Sequence, residues 1–336
     1  MSKKIKAIGL LSGGLDSTLA VKILIDMGID VTALNFISPF CACTHKGCKH
    51  EATRIANEFG IEIKVLSKGS DYLDVVRNPK HGYGKNMNPC IDCRIFMLKK
   101  TKQYMEEIGA SFIFTGEVLG QRPMSQRKSP MLSIEKEAGL EGLILRPLSA
   151  RLLKPTIPEL KGWVDREALL EISGRSRKPQ FELAGRLGIK DFNCPAGGCR
   201  LTDAKFALRL KESFTHGEST MRDVRLLKYG RHFRLPGGTK VIVGRNEKEN
   251  AVIVSQAEET ELLLETMDCG SPVTLLKGSD RNTNGKDLEL AASLCVTYSK
   301  CDLDVPMVRV FDKKGFETTI SSGPVIWAET GISKVD

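Results

Sequence analysis

Ser12-Gly13-Gly14-Leu15-Asp16-Ser17 lies between an apolar run, Ile5 to Leu11, and a stretch from Thr18 to Leu24 whose apolar spacing suits a helix. That order reads as strand, glycine turn and helix N-terminus. Two adjacent glycines let the main chain fold tightly and approach a ligand, while the unpaired N–H groups and dipole of the opening helix point at whatever fills the turn. Phosphate oxygens suit that place. The spacing is not Gly-x-x-x-x-Gly-Lys-Ser/Thr and the loop carries no lysine, which excludes the ordinary triphosphate loop. The second reactive set is sulfur. Cys90 and Cys93, in Asn88-Pro89-Cys90-Ile91-Asp92-Cys93-Arg94, stand at the start of a helix predicted over Cys93–Ile108, where thiol pKa falls and thiolate is favoured. Three chemistries fit the pair: a redox disulfide, two ligands of a zinc or iron–sulfur site, or a sulfur-carrying nucleophile with its resolving partner. Cys194 and Cys199 bracket Pro-Ala-Gly-Gly, small residues that let the chain wrap round a metal or sulfur atom. Cys41, Cys43 and Cys48, with His45 and His50, form a third group whose spacing is too tight to name a metal site.

All six residues of the glycine turn match the PP-loop of the ATP pyrophosphatases, Ser-Gly-Gly-x-Asp-Ser, and the chain resembles that family. The resemblance implies an adenine nucleotide alpha hydrolase-like fold, ATP held by Ser12, Gly13, Gly14, Leu15, Asp16 and Ser17, and cleavage between the α and β phosphates. It also implies Mg²⁺, with Asp16 orienting the loop or meeting the ion indirectly. A PP-loop followed by Asn-Pro-Cys-x-x-Cys, and by a further cysteine roughly a hundred residues later, is similar to the tRNA thiolation enzymes, the 2-thiouridylases and 4-thiouridine synthetases. Relatives use these cysteines as a persulfide relay, or use three of them to hold an iron–sulfur cluster whose open iron carries sulfide. With Cys90, Cys93, Cys194 and Cys199 all present, the expectation is that these four are both the catalytic and the metal-binding cysteines. The implied partners are tRNA and a sulfur donor: a cysteine desulfurase, a persulfide carrier or sulfide. Thr115-Gly116-Glu117 stands where these enzymes carry Thr-Gly, usually followed by His. Gly116 is expected beside the nucleotide, Glu117 departs from the pattern, and Arg122 is a candidate phosphate contact.

Strands alternating with helices must position these residues. Ile5–Leu11, Asp30–Ile37, Ile61–Leu66 and Ser111–Thr115 read as strands, and Ser17–Met27, His50–Phe59 and Cys93–Ile108 as helices. That pattern predicts an α/β fold, a parallel sheet with helices on both faces and the ligand at the carboxyl ends of the strands. Further helices are predicted over Lys161–Ser173, Lys178–Leu187 and Thr202–Ser213. After Gly217 short β-rich runs, Lys240–Val243, Ala251–Val254 and Pro272–Leu276, predict a smaller α+β domain. The expected division is 1–215 for the nucleotide domain and 222–336 for the second.

The 336 residues carry 41% hydrophobic and 27% charged side chains, ordinary for a soluble globular protein, and ten cysteines. With no apolar stretch of membrane-spanning length and no signal peptide, a cytoplasmic location is expected, where thiols stay reduced. The net charge is +9, and eleven Lys or Arg lie between Arg200 and Arg245 against four acidic residues. Such an excess favours a polyanion. Asp223–Phe233 interleaves cations with Tyr229, His232 and Phe233, an arrangement suited to phosphates and unpaired bases. Val243-Gly244-Arg245-Asn246, with Asn250, resembles the small RNA-binding domain of ribosome quality-control proteins. Rival readings are a PP-loop amidotransferase, a small-molecule sulfur-transfer enzyme, and an RNA-binding module on a degenerate nucleotide fold.

Overall fold

The computed structural model describes residues 4–41, 47–190, 198–267 and 269–335. The chain divides into two compact units, Met1–Thr202 and Asp203–Asp336. This division lies upstream of the expected boundary near 215–222. The helix Ala204–Thr215 belongs with the second unit because its Glu212 pairs with Arg234 and Lys240 there.

The first unit opens with β1 (Lys6–Leu10), α1 (Leu15–Asp26), β2 (Asp30–Ile37), α2 (Gly47–Glu58) and β3 (Glu62–Ser67). It continues with α3 (Asp71–Arg77), α4 (Cys90–Glu107), β4 (Phe112–Thr115), α5 (Lys128–Ala138) and β5 (Ile144–Leu145), and ends in α6 (Ile157–Leu160) and α7 (Lys178–Arg186). The five strands run parallel in the order β3-β2-β1-β4-β5. Alternate residues along each strand face opposite sides. Ala7, Ala33, Phe112 and Phe114 join the core that includes α1, α2 and α7, while Ile8, Leu34, Ile113 and Ile144 join the core that includes α4 and α5. Because β1 pairs with both β2 and β4, the strand order reverses beside it, and the crevice of the sheet opens at the carboxyl ends of β1 and β4.

The helix expected over Lys161–Ser173 does not form; apart from a single 3₁₀ turn, Arg166–Ala168, that stretch is turn and extended chain. Asp165 accepts from Glu167 N at 3.0 Å and caps that turn at its start.

The second unit contains α8 (Ala204–Thr215), α9 (Met221–Leu226), β6 (Arg231–Arg234), β7 (Lys240–Val243), α10 (Glu247–Gln256) and β8 (Leu262–Thr266). There follow β9 (Thr274–Lys277), α11 (Gly285–Thr297), β10 (Met307–Phe311), β11 (Glu317–Ser321), α12 (Trp327–Thr330) and β12 (Ser333–Lys334). Its sheet is antiparallel, in the order β11-β10-β8-β9-β7-β6-β12. Ala251–Val254, expected as a strand, lies inside α10. Asn246 caps that helix by accepting from Glu249 N at 3.0 Å, and Ile253 is the residue it buries, so local capping overrides the β preference of the run. Among the described residues no helix is long and apolar enough to cross a membrane.

Candidate active site

The turn between β1 and α1 is built on two close approaches. Gly13 has φ +79°, and a Cβ there would stand 3.0 Å from Glu51 Cβ and 3.1 Å from Ala52 N, so α2 packs directly on the loop. At Gly116, just after β4, a Cβ would lie 2.5 Å from Asp16 C, Asp16 O and Ser17 N. Only glycine lets the end of β4 lie against the first turn of α1. Ser17 Oγ donates to Gly14 O at 2.8 Å and accepts from Ser12 N at 3.2 Å, which ties both ends of the loop together. Gly14 gives α1 no side-chain cap, leaving the N–H groups of its first turn for a ligand.

These residues line a cleft of about 430 Å³. Leu34, Phe36 and Met97 form its apolar side, and Arg94, Arg122 and Arg177 bring cations to it. Asp16 is held rather than free. Gln121 Nε2 donates to its Oδ2 at 2.8 Å, Arg177 stands 3.5 Å from its Oδ1, and Gln180 Nε2 in turn donates to Gln121 Oε1 at 3.1 Å. Arg122 lies at the exposed edge of the cleft.

Glu117 faces two arginines. It is 4% exposed, with Arg94 Nε 3.1 Å from Oε1 and Arg146 Nε donating to Oε2 at 3.1 Å, and Thr115 Oγ1 is also 3.1 Å from Oε2. Burial alone would raise its pKa, but Arg94 and Arg146 hold the carboxyl below its ordinary value. Arg146 is bonded on its other side to Glu135. Arg94, Arg146, Glu135 and Arg177 were not found from the sequence; the only signal for Arg94 was its position next to Cys93.

The cysteines occupy the start of α4 and the chain near Phe40. Cys90 is the first residue of the helix. Its thiol is raised, not lowered: burial and the neighbouring Cys93 charge outweigh Arg122 and Arg94, which corrects the expectation from the helix terminus alone. Cys93 goes the other way. Burial pushes it up, yet Lys68, whose Nζ donates to Cys93 Sγ at 2.8 Å, together with the Tyr72 hydroxyl and Arg94, brings its pKa below the ordinary value. Lys68 is itself 8% exposed and lies 4.4 Å from the Tyr72 ring centre. Cys199 forms an antiparallel bridge with Cys41, and burial pushes its thiol up to about 11.

Cys43 and Cys194 lie outside the described residues, as does the side chain of Cys48. Among the described residues no three of His, Cys, Asp and Glu are grouped to hold a metal ion. The Lys68 ammonium sits on the Cys93 sulfur.

In the second unit part of the basic excess is compensated internally. Arg234 and Lys240 share Glu212 and Glu218 at 2.5–3.0 Å, Lys277 pairs with Asp223 at 3.0 Å, and Arg222 bonds Glu258 and Glu261. Arg209 is buried and donates to Leu227 O. His232 and Phe233, expected to meet bases, are both fully buried. Lys205, Lys211, Arg225 and Arg245 stay exposed, and Arg231 lies 4.5 Å from the Tyr298 ring centre. The Val-Gly-Arg-Asn turn is itself structural, since a Cβ on Gly244 would lie 1.9 Å from Asn250 Oδ1. Cys269 and Cys301 form a disulfide, against the expectation that all thiols are reduced.

Residues 3–157 match the family model described as thiamine biosynthesis protein (ThiI). Residues 230–325 match the one described as NFACT protein RNA binding domain. A tRNA-specific 2-thiouridylase of Listeria monocytogenes serotype 4b (strain CLIP80459) is 22% identical over 285 residues, covering 77% of this chain and 73% of the relative. A protein of Lysinibacillus sphaericus (strain C3-41) described as "Probable tRNA sulfurtransferase" is 33% identical over 146 residues, 43% of this chain and 34% of the relative. Among solved structures, a 4-thiouridine synthetase–RNA complex with bound ATP is 22% identical, with a TM-score of 0.38 over 66% of this chain and 52% of that one. The chain thus resembles PP-loop tRNA thiolation enzymes, with an NFACT-type RNA-binding domain following, as its two motif sets led us to expect.

Proposed function

We propose that this chain is an ATP-dependent tRNA sulfurtransferase, which adenylates a uridine carbonyl oxygen and replaces that oxygen with sulfur. The observation that supports this most is that Arg94 lines the nucleotide cleft and directly follows Cys93 on α4. Phosphate chemistry and sulfur chemistry are one residue apart. The amides of Gly13, Gly14 and the first turn of α1 receive the β and γ phosphates, and Leu34, Phe36 and Met97 offer apolar surface to the base. Mg²⁺ would offset the phosphate charge, with Asp16 as the carboxylate of the loop that lines the cleft.

The uridine oxygen attacks the α-phosphorus, the bond to the β-phosphate breaks, and pyrophosphate leaves into the loop. Arg94 and Arg122 offset charge on the α-phosphoryl group, and adenylation turns a poor leaving oxygen into AMP. Sulfur then arrives on a cysteine. Cys93 is loaded as a persulfide by transfer from a donor persulfide or, where sulfide is the donor, by attack of HS⁻ on the Cys93 sulfur of a disulfide with Cys90 or Cys199, which releases the other cysteine as thiolate. Its outer sulfur then attacks the activated carbon and AMP departs. A neighbouring thiol, Cys90 or Cys199, next attacks Cys93 Sγ, which frees the thiocarbonyl and leaves a disulfide for an external thiol to reduce.

Incubating the full chain with ATP, sulfide and unmodified tRNA tests the reading: AMP, pyrophosphate and thiouridine are expected together. Iron and sulfide analysis of protein prepared without oxygen separates the persulfide route from ligation of a cluster by Cys90, Cys93, Cys194 and Cys199. A second reading, sulfur transfer to a small molecule, is favoured by the thiamine description of the family model. Thiouridine formation without any small-molecule acceptor decides against it.

A further inference from the structure

Between α3 and α4 runs a connection, Asn78 to Pro89, that carries Lys80, His81, Tyr83 and Lys85 and no acidic residue. It has no regular structure, yet its conformation is fixed from several sides. The carboxylate of Asp92, 8% exposed and lying between Cys90 and Cys93 in the chain, accepts from Lys80 N and His81 N, both at 3.1 Å. Met87 N donates to Leu201 O at 3.1 Å, and Asn86 Nδ2 donates to Thr202 O at 2.7 Å, which ties the same connection to the chain just after Cys199. Asn86 is the one non-glycine residue at positive φ, +53°, among those described. Chains keep such conformations where the surroundings enforce them.

Its outward groups are of two kinds. The Tyr83 hydroxyl donates to the carbonyls of Val76 and Arg77, at 2.7 and 2.9 Å, so the ring is anchored at its tip while 39% of the residue stays exposed. Lys85 is exposed, and the Lys80 side chain is 73% exposed in a pair with Glu137 at 2.8 Å. A surface pair of that sort is weak and screened by salt, and phosphate competes with it readily. Gly84 is packed so that a Cβ would lie 3.3 Å from Met124 Cγ, two residues past Arg122 at the cleft edge.

We propose that this ledge receives the single-stranded RNA flanking the target uridine, one neighbouring base stacking on Tyr83 and its phosphates meeting Lys80 and Lys85. The proposal rests on the tRNA reading above. A base that reacts inside a cleft must leave its stack, and the nucleotides beside it then need a surface of their own. Asp92 fixes the ledge relative to both Cys90 and Cys93, so the surface that grips the strand also sets where the base enters.

The test uses the full chain with Lys80→Ala/Lys85→Ala, Tyr83→Leu and Tyr83→Phe. Affinity for labelled unmodified tRNA is titrated at several salt concentrations, and thiolation is assayed with sulfide as the donor. The lysine pair is expected to weaken binding about tenfold at low salt and to flatten the log–log salt slope by about two. Tyr83→Leu should raise the KM for tRNA about tenfold, Tyr83→Phe much less, and the KM for ATP should not move. If a Tyr83 variant unfolds, the lysine pair decides. Wild-type affinity and slope in the lysine variant overturn the proposal, as does a wild type that binds no tRNA. Unchanged tRNA affinity with thiolation lost only when a protein donor replaces sulfide would assign the ledge to that donor and also overturn it. A wild type that binds tRNA without thiolating it defeats the sulfurtransferase reading, while the affinity comparison still decides the ledge.

Discussion

Lys68 Nζ donates to Cys93 Sγ at 2.8 Å, from the end of β3 to the first turn of α4, and this contact separates one cysteine from its neighbours. Cys93 is held below the ordinary thiol pKa, while Cys90 and Cys199 are held above it. Of the three, Cys93 is therefore the one whose thiolate is most favoured. In iron-free protein, iodoacetamide should label Cys93 first, and its rate should level off at a lower pH than those of Cys90 and Cys199. Lys68→Met removes the cation and moves the Cys93 profile to higher pH, and labelling at pH 7 should slow by about an order of magnitude or more. Peptide mapping of alkylation against pH checks this; equal profiles with and without Lys68 would contradict it.

Gly116 and Asp16 serve the loop in different ways, and their variants should fail differently. Gly116→Ala forces a methyl into main-chain atoms 2.5 Å away, so it should lower stability and separate β4 from α1. Asp16→Ala removes a partner of Gln121 and Arg177 at the half-buried surface, and should abolish ATP cleavage with the fold retained. Circular dichroism melts beside AMP release distinguish the two, and a Gly116→Ala protein of wild-type stability would contradict the close approach.

Glu117 holds Arg94 on one side and Arg146 on the other. Glu117→Gln leaves two arginine side chains with only Glu135 as a compensating charge, a loss of about 3–5 kcal/mol on the scale of broken buried pairs. Adding Arg146→Met should recover part of it, because the second buried charge goes as well. Urea unfolding of both single variants and the double variant measures the coupling, and strict additivity would contradict a shared network.

Acid should weaken the second unit through Glu218. Burial opposes its charge, but Arg234, Lys240 and Lys277 hold it down to about 2 from an ordinary 4.5. A carboxylate with a depressed folded pKa gives stability that is fully present above the unfolded value and is lost as the pH falls through the folded one. The loss should thus run from about pH 4.5 to about pH 2, and Glu218→Gln should flatten it while costing up to ~3 kcal/mol at neutral pH. Denaturant midpoints measured across that range give the slope.

The glycine turn, the strand–helix alternation around it and the place of Cys90 were legible because each rests on short-range chemistry: Gly13 for a left-handed turn, a helix start at Cys90, apolar runs in β1 and β2. Long-range partners were not. Lys68 and Cys93 are 25 residues apart in sequence, and Glu117 and Arg146 are 29 apart, with no local pattern to announce either pair. Composition misled in the second unit for the same reason. Arg234 and Lys240 add to a basic count along the chain, yet both are turned to Glu212 and Glu218 in the folded protein. Ala251–Val254 shows the limit of propensity, since a cap at Asn246, five residues before it, makes that run helical.

In the proposed function, cleavage of ATP to AMP is coupled to sulfur entering a uridine. The direct measurement follows nucleotide products and tRNA nucleosides in one reaction containing the full chain, ATP, sulfide and unmodified tRNA. Equal amounts of AMP, pyrophosphate and thiouridine are predicted, all three lost together in Asp16→Ala. ADP as the nucleotide product, or AMP released at an undiminished rate with no sulfur in the tRNA, would contradict it.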